Sequence, residues 1–507
     1  MHTITSLLVL LLAIFALSTG ATSASTSNSN ATWPLQSFHS TDIRTAFFNV
    51  TKNGKTELGY IFVTPWANGR SHPSIYQDDG QLVWQGPEGT SYGFRPQTLR
   101  GQPVIVYWEG ELNSKGYGYG AINILNNSYQ RIHKVTLFDE SFKTGSEPQK
   151  FPSYIDFHEG VITANGSILV TAINITQADL QSVGGPKDGW VVDALAYEID
   201  IESNKVLFRW SAIEHLQEIP LKLSQNPLAG AGRSERDPWN FFHINSVIKY
   251  GDSYLVSWRY ACSVLLISKS GAVTWNLNGI NGGDFKLGPD TNFCYQYGLR
   301  LADQKKDKIT ISCHNNDNAE FTTQLKTTTG LILDLDLRNK TVTLNRRLWD
   351  DLNPVKTQDL GSFQNLPNGH VLMNHGIIPV IEEYDENGAL VMKLRYGYDK
   401  VESTYRVHRV PWIGIPKTKP SVKACRSVAS GEVTVYVSWN GATGVESWNL
   451  YTGSKEGMLQ IIATEPRNGF ETIIRGGKDA NNTVVVGAVG GPNNGVKSDP
   501  VMVGNCS

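Results

Sequence analysis

Apolar and polar positions alternate along this chain in short runs, each entered from a polar turn and closed by tryptophan or another apolar residue. The clearest copies are Asp-Asp-Gly-Gln-Leu-Val-Trp (78–84), Asn-Lys-Val-Leu-Phe-Arg-Trp (204–210), Ser-Gly-Ala-Val-Thr-Trp (270–275) and Glu-Asn-Gly-Ala-Leu-Val-Met (386–392). Weaker copies lie at Gln130–Val135 and Lys340–Leu344. Period-two alternation bounded by Gly, Asn, Asp and Ser is the pattern of a β-strand. Six turn-plus-strand units in tandem predict a repeat array built from β units.

Each unit resolves into several strands. The fullest reads Ile244–Tyr250, Ser253–Ala261, Ser263–Ser268 and Ala272–Asn278. The one before it reads His158–Thr163, Ser167–Ile175, Ala194–Ile201 and Lys205–Ser211. The two after it read Tyr297–Ala302, Lys308–His314, Gly330–Leu337 and Thr341–Leu348, then Gly361–Leu366, His370–His375, Pro379–Tyr384 and Ala389–Tyr396. Four strands per unit is a propeller blade. The predicted fold is all-β: a six-bladed β-propeller with long loops at Gln177–Gly189 and Gln217–Asp237, and a short helix within Ala212–Gln225.

After Pro411-Trp412 the texture changes. Ile415-Pro-Lys-Thr-Lys-Pro420 reads as a linker, and Ser421–Val503 holds further alternating strands such as Glu432–Trp439, Ser447–Tyr451, Leu459–Thr464 and Thr483–Val489. A small C-terminal β-sandwich of immunoglobulin or fibronectin type is expected there. The predicted boundaries are therefore a leader at 1–24, a propeller with an N-terminal extension at 25–416, and the sandwich at 417–507.

Composition narrows the class. The 507 residues are 40% hydrophobic and 18% charged with a formal net charge of −2, which gives no support for nucleic-acid binding. Leu7 to Leu17 has the length of a signal-peptide apolar region, followed by small residues; cleavage near 20–24 and a secreted, extracellular protein are expected. No later stretch approaches a membrane span. Eight Asn-x-Ser/Thr sequons, at Asn30, Asn49, Asn126, Asn165, Asn174, Asn339, Asn481 and Asn505, predict a glycoprotein. Five cysteines in an oxidising compartment invite disulfides. Cys425–Cys506 is the natural pair; Cys294–Cys313 is favoured among the rest, leaving Cys262 free. No cysteine spacing suggests a zinc knuckle, no ligand spacing demands a metal, and no cofactor is expected.

In a propeller the first strand of each blade lies nearest the axis. Equivalent positions then bring His158, His243, Tyr297 and Ser362 toward the channel from first-strand starts. Ends of second strands add Trp108, Glu109, Ile173, Arg259, His314 and His375. Imidazoles and a guanidinium converging on one small volume suit an oxyanion substrate. Each also has an ordinary structural reading: His243 bonding a strand carbonyl, Arg259 stacked between Trp258 and Tyr260, and His314 or His375 ending a strand or making a turn.

Several ordered motifs carry a family resemblance. They are Pro-Ser-Ile-Tyr-Gln-Asp-Asp-Gly-Gln-Leu-Val-Trp (73–84), Asp-Phe-His-Glu-Gly (156–160), Asp-Pro-Trp-Asn-Phe-Phe-His-Ile-Asn-Ser-Val (237–247) and Ser257-Trp-Arg259. Gly361-Ser-Phe-Gln-Asn-Leu-Pro-Asn-Gly369 and Tyr405-Arg-Val-His-Arg-Val-Pro-Trp412 complete the set. From about Tyr60 to Pro416 and onward, the chain resembles the arylsulfotransferase family, especially its secreted fungal branch. That resemblance implies a six-bladed propeller and ping-pong sulfate transfer from an aryl sulfate ester to a phenol without a nucleotide donor. By motif, His243 and Asn245 correspond to the family's His-x-Asn pair, Arg259 to the sulfate-clamping arginine and His158 to the auxiliary histidine. The chain departs at Tyr295-Gln-Tyr-Gly298, where fungal relatives carry Trp-Gln-His-Asp, so Tyr297 occupies the expected nucleophile's slot. A phenol ionises near pH 10, and nucleophilic use of Tyr297 needs neighbouring cations; His314 is the substitute candidate. The alternative is a catalytically silent propeller binding a small anionic or phenolic ligand or an extracellular partner.

Overall fold

The alternating runs are strands. In the computed structural model, residues 32–67, 70–113, 115–145, 151–452, 459–478 and 480–506 are described, and among them the only helical elements are five short 3-10 turns. The chain is all-β. The expected leader at 1–24 and the sequon at Asn30 lie outside the described residues. The helix expected within Ala212–Gln225 is two separate turns, Ala212–His215 and Leu221–Leu223. Pro220 lies between them, and a proline both lacks an N–H and drives the residue before it out of helical conformation.

Six antiparallel units, each built on four strands, follow one another among the described residues, and the second and third are joined through Gly120 and Ile155 into one eight-stranded sheet. Unit 1 is Tyr60–Val63, Ser74–Tyr76 and Leu82–Gln85, with His408–Val410 pairing onto Tyr60–Val63 from the far end of the array. Unit 2 is Ser91–Leu99, Gln102–Leu112, Gly118–Leu125 and Arg131–Val135; unit 3 is Ile155–Ile162, Ser167–Ala178, Gly189–Asp200 and Val206–Ser211. Unit 4 is Ile244–Tyr250, Ser253–Trp258, Ser263–Ile267 and Val273–Asn278; unit 5 is Tyr297–Lys305, Lys308–Asn315, Thr329–Asp336 and Thr341–Leu348. Unit 6 is Ser362–Asn365, Val371–Asn374, Val380–Tyr384 and Leu390–Arg395, extended by Asn49–Lys52. The weaker sequence copies near 130 and 340 coincide with the last strands of units 2 and 5.

The core lies between units as much as within them. Leu169, Val191 and Ala194 of unit 3 share one buried cluster with Val247, Val256 and Leu265 of unit 4. Leu255, Val264 and Trp275 of unit 4 share the next with Ile309, Ile311 and Leu333 of unit 5. Each such side chain removed from water contributes roughly 1.5–3 kcal/mol, and neighbouring units supply the covering surface. The first strands of units 3, 4, 5 and 6 contact one another in sequence order.

Residues 421–505 form two more four-stranded sheets. One runs Glu471–Gly477, Val433–Ser438, Ser421–Arg426 and Gly504–Asn505; the other runs Gln460–Pro466, Ser447–Thr452, Thr483–Val489 and Val501–Met502. Val435, Val437, Ile474, Trp448, Leu450 and Val486 share the cluster between them. Cys425 and Cys506 are bonded. This pair of sheets is tied to unit 1 by reciprocal bonds between Asn440 and Gln85 of 2.8 and 2.9 Å.

The second disulfide corrects the expected pairing. Cys294 bonds Cys262, at 4.3 Å between Cα atoms, and Cys313 is the free, buried thiol. Strand alternation explains this. Ile309, Ile311 and Cys313 point together into the cluster between units 4 and 5, whereas Cys262 ends the tight turn Arg259–Ala261. Of the sequons, Asn49, Asn165, Asn339, Asn481 and Asn505 are exposed, and Asn126 and Asn174 are half-buried.

Candidate functional site

The first strands of units 3, 4 and 5 carry the site. His158 lies within its strand, His243 immediately precedes Ile244, and Tyr297 opens unit 5. Arg259 lies in the 3-10 turn that closes the second strand of unit 4. The backbone here is unusual: His243, Cys262, Tyr295 and Leu360 all have positive φ, at 55°, 53°, 52° and 62°. Non-glycine residues in this region each cost on the order of 1–3 kcal/mol and persist where surrounding structure imposes them, commonly at functional sites. The same three first strands are bulged, between Asp156 and Gly160, Ile244 and Ser246, and Tyr297 and Arg300. Bulges re-aim the side chains that follow them.

His158, His243, Arg259 and Tyr297 line one cavity of about 670 Å3. The imidazoles of His158 and His243 meet edge to face, 4.8 Å between centroids. His158 Nδ1 is 2.6 Å from Asp156 Oδ2, so the carboxylate orients the ring and leaves Nε2 on the other side. Asp156 is itself anchored by the Gly118 N–H and the Thr171 hydroxyl, at 2.9 and 3.1 Å. The His243 ring faces Asn240 Nδ2 at 3.2 Å on its Nδ1 side and the Tyr297 hydroxyl at 3.4 Å on its Nε2 side. Burial, with the charges of His158 and Arg259, holds the His243 pKa well below the usual histidine value, so its imidazole is neutral.

Tyr297 donates its hydroxyl hydrogen to Asp359 Oδ1. Burial pushes its pKa well above 10; Arg259 opposes this, while Asp359 reinforces it. The cation expected to favour a phenolate is present but outweighed, and Tyr297 stays a phenol. The Arg259 guanidinium sits 4.7 Å from the Tyr260 ring centroid and 5.1 Å from that of Tyr297. Its Nη2 donates to Glu320 Oε2 at 3.1 Å and to the Gln358 carbonyl at 2.9 Å, while its buried Nε has no partner.

Two expected site residues lie elsewhere. Asn245 donates to the Gln296 carbonyl at 2.7 Å and does not line the cavity, so it braces the backbone just before Tyr297. His314 is likewise not among the lining residues: its Nδ1 faces Asn316 Oδ1 at 2.7 Å, and its Nε2 faces His375 Nδ1 at 3.1 Å. His375 continues to Glu382 at 2.9 Å. Gly361, at φ +117°, packs directly on the His314 ring; a Cβ there would stand 2.5 Å from Nδ1. Burial first, then His375, brings the His314 pKa down to about 3. Trp108 is spent on the Ile155 carbonyl at 2.8 Å.

A model of the arylsulfotransferase (ASST) family matches residues 95–397, which contain all of these side chains. The chain belongs to the arylsulfotransferase family. No curated protein matches it by sequence search. Among solved structures it is similar to a protein of unknown function from Bacteroides caccae, at 13% identity over 67% of this chain and 94% of that one, TM-score 0.36. An α-L-arabinanase from Penicillium chrysogenum, complexed with arabinobiose, has 10% identity over 88% and 99% of the two chains, TM-score 0.33. Virginiamycin B lyase from Staphylococcus aureus has 10% identity over 77% and 95%, TM-score 0.30.

The arylsulfotransferase-family cavity also contains groups that strand arithmetic missed. Asp359, Glu320 and Asn240 reach it from segments outside the strands, so no alternation marks them. Asp156 lies behind the cavity and had a signal only in its closeness to His158, two residues on, whose ring it bonds. Among the described residues no cluster of three or more His, Cys, Asp or Glu side chains could hold a metal ion, and no helix is long and apolar enough to cross a membrane.

Proposed function

We propose that this cavity moves a sulfuryl group from an aryl sulfate ester to a phenolic acceptor without a nucleotide donor, using His243 in place of the missing histidine at Tyr297. The observation that carries this reading is a buried, neutral His243 facing the same cavity as Arg259 and the Asp156-backed His158. Turning the Asn240 amide lets its unpartnered Oδ1 accept the Nδ1–H of His243, which leaves the Nε2 lone pair toward the cavity. That lone pair attacks sulfur, and the bond from sulfur to the aryl oxygen breaks. The departing aryl oxide takes a proton from Nε2 of the Asp156-backed His158. In the second half, the acceptor phenol returns a proton to His158 and attacks sulfur, and the nitrogen–sulfur bond electrons return to His243. The free Nε–H of Arg259 donates to a sulfuryl oxygen as charge develops.

The proposal extends to the whole chain. Units 1 to 6 form a closed six-bladed propeller, supported by His408–Val410 pairing with Tyr60–Val63; residues 417–507 act as an accessory sandwich. The two disulfides and the apolar leader support a secreted glycoprotein, of the kind found in the fungal branch.

One observation favours a second reading, a silent binder of small phenolic or anionic ligands. Asp359 and Glu320 already contact Arg259, at 3.5 and 3.1 Å, and compete with a sulfate ester for it. The two readings separate on incubation with an aryl sulfate donor and a phenol, following both released phenol and sulfated product. Donor binding without any transfer refutes the enzyme. Transfer by the wild-type chain removes the silent reading, and activity gained only in Tyr297→His marks a degenerate enzyme.

A further inference from the structure

Beyond the bulges, the first strands turn a second polar layer inward. Glu159, one residue after His158, is fully buried and accepts from three arginines of different units. Arg406 Nη1 is 2.6 Å from Oε1, Arg95 Nη2 is 3.1 Å from Oε1, and Arg300 Nη1 is 3.0 Å from Oε2. Three guanidiniums on one carboxylate leave an excess of two positive charges. The carboxylate is oversubscribed: burial, opposed by Glu159 but reinforced by Arg300 and Arg406, pushes Arg95 down to about 9. Arg300 is also lowered, by burial first, whereas Arg406, with the shortest bond, is raised.

Two polar atoms of this layer are buried without a partner, Arg406 Nε and His408 Nδ1. The layer is also reachable. The Arg300 side chain retains 22% of its exposure, against 8% for Arg95 and 3% for Arg406, and His408, Gln97 and Gly160 are half-buried. None of these groups lines the cavity of His158 and His243. Tyr405 stands between the two, with its ring 5.4 Å from His158 and its hydroxyl 3.1 Å from Arg406 Nη2.

We propose that Arg95, Arg300, Arg406 and His408 form a second anion site, separate from the sulfuryl-transfer cavity, that takes a divalent tetrahedral oxyanion entering on the Arg300 side. Such an ion supplies the two missing negative charges and several acceptors for guanidinium forks, which bind oxyanions through paired N–H bonds. Burying unpaired charge is costly, and a bound dianion removes that cost.

The test is thermal unfolding of the full secreted chain in sodium sulfate and in sodium chloride at matched ionic strength, with inorganic sulfate as the probe. Wild type is expected to show a saturable rise in melting temperature specific to sulfate. Arg300→Gln, at the partly exposed position, is expected to weaken the apparent sulfate affinity by about tenfold or more. Glu159→Gln, which raises the excess charge, is expected to tighten it. Arg259→Ala is expected to leave it unchanged, which separates this site from the transfer cavity. Equal effects of chloride and sulfate overturn the proposal. So does an Arg300→Gln response identical to wild type, or loss of the sulfate response in Arg259→Ala.

Discussion

Replacing Glu159 by glutamine in sulfate-free buffer tests whether that carboxylate holds the array together. It joins unit 3 to Arg95 of unit 2, to Arg300 of unit 5 and to Arg406, which leads into the strand closing unit 1. Glutamine keeps the shape, but it removes the charge and turns an N–H pair toward guanidiniums that are themselves donors. Breaking a buried ion pair by removing one partner costs about 3–5 kcal/mol. An unfolding entropy of about 2.1 cal/mol/K per residue, taken over a unit spanning residues 60–410, converts each kcal/mol into ~1–2 °C. The expected fall in melting temperature at pH 7 is therefore ~4–7 °C in sodium chloride. The pH dependence has a definite sign. Burial alone would raise the Glu159 pKa, but Arg300, Arg406 and Arg95 overcome it and hold the group far below the usual carboxylate range. Its stabilisation is present above the unfolded value, near pH 4.3, and is lost as pH falls through the lower folded value. The gap between wild type and variant should thus persist at pH 5 and narrow only in stronger acid. Calorimetry on both proteins across pH 7 to 3 measures this. A variant within about 1 °C of wild type at pH 7 would show that Glu159 does not hold the units together.

The transfer cavity and the frame give further expectations. His243→Ala and Arg259→Ala should each lower sulfate transfer by roughly 10²–10³-fold while the fold is kept, measured as product formed per enzyme with melting temperature as control. Tyr297→His should raise transfer, because burial keeps the native phenol protonated; an unchanged rate removes Tyr297 from the site's chemistry. Buried His243 and His314 resist protonation that their unfolded forms accept below pH 6.5. Stability should consequently fall on acidification, by up to about 1.4 kcal/mol per pH unit for each, continuing for His314 to about 3. Urea melts of wild type and His314→Asn at pH 7 and pH 5 read this as a shallower slope in the variant. Replacing Cys425 and Cys506 by serine should cost the C-terminal sheets ~4 kcal/mol and expose residues 421–505 to limited proteolysis before the rest of the chain.

The strands were legible because each has one face against a neighbouring unit. Leu255, Val264 and Trp275 repeat an alternation that only a sheet satisfies, and their observed boundaries fall within a few residues of those read from the pattern. Pairing between distant segments was not legible. Nothing in the alternation tells that His408–Val410 completes unit 1, or that Asn49–Lys52 extends unit 6, since a strand pattern specifies a face and not a partner. The cysteines show the same limit: Cys313 reads as available by spacing, yet its side chain shares a face with Ile309 and Ile311.

The site was legible where it lies on strands and obscure where it lies on connections. His158 and Tyr297 follow from equivalent positions in units 3 and 5, but the groups that bond the site's rings from outside the strands, Asp359 at Tyr297 and Asn240 at His243, come from loops. The bulges add a step that no period-two count includes. Three extra residues after Asp156 and one after Tyr297 break the alternation, so His158 and Glu159, adjacent in sequence, both face the interior instead of opposite sides of the sheet. Without that irregularity, one of the two polar layers would have faced the hydrophobic contacts between units. The departure at Tyr297 then has a structural context. Its phenol sits within reach of His243 while bonded to Asp359 and beside Arg259. The shorter imidazole of the Tyr297→His variant gives up the carboxylate bond while staying on the Arg259 and His243 side, so the variant isolates the chemistry of one ring.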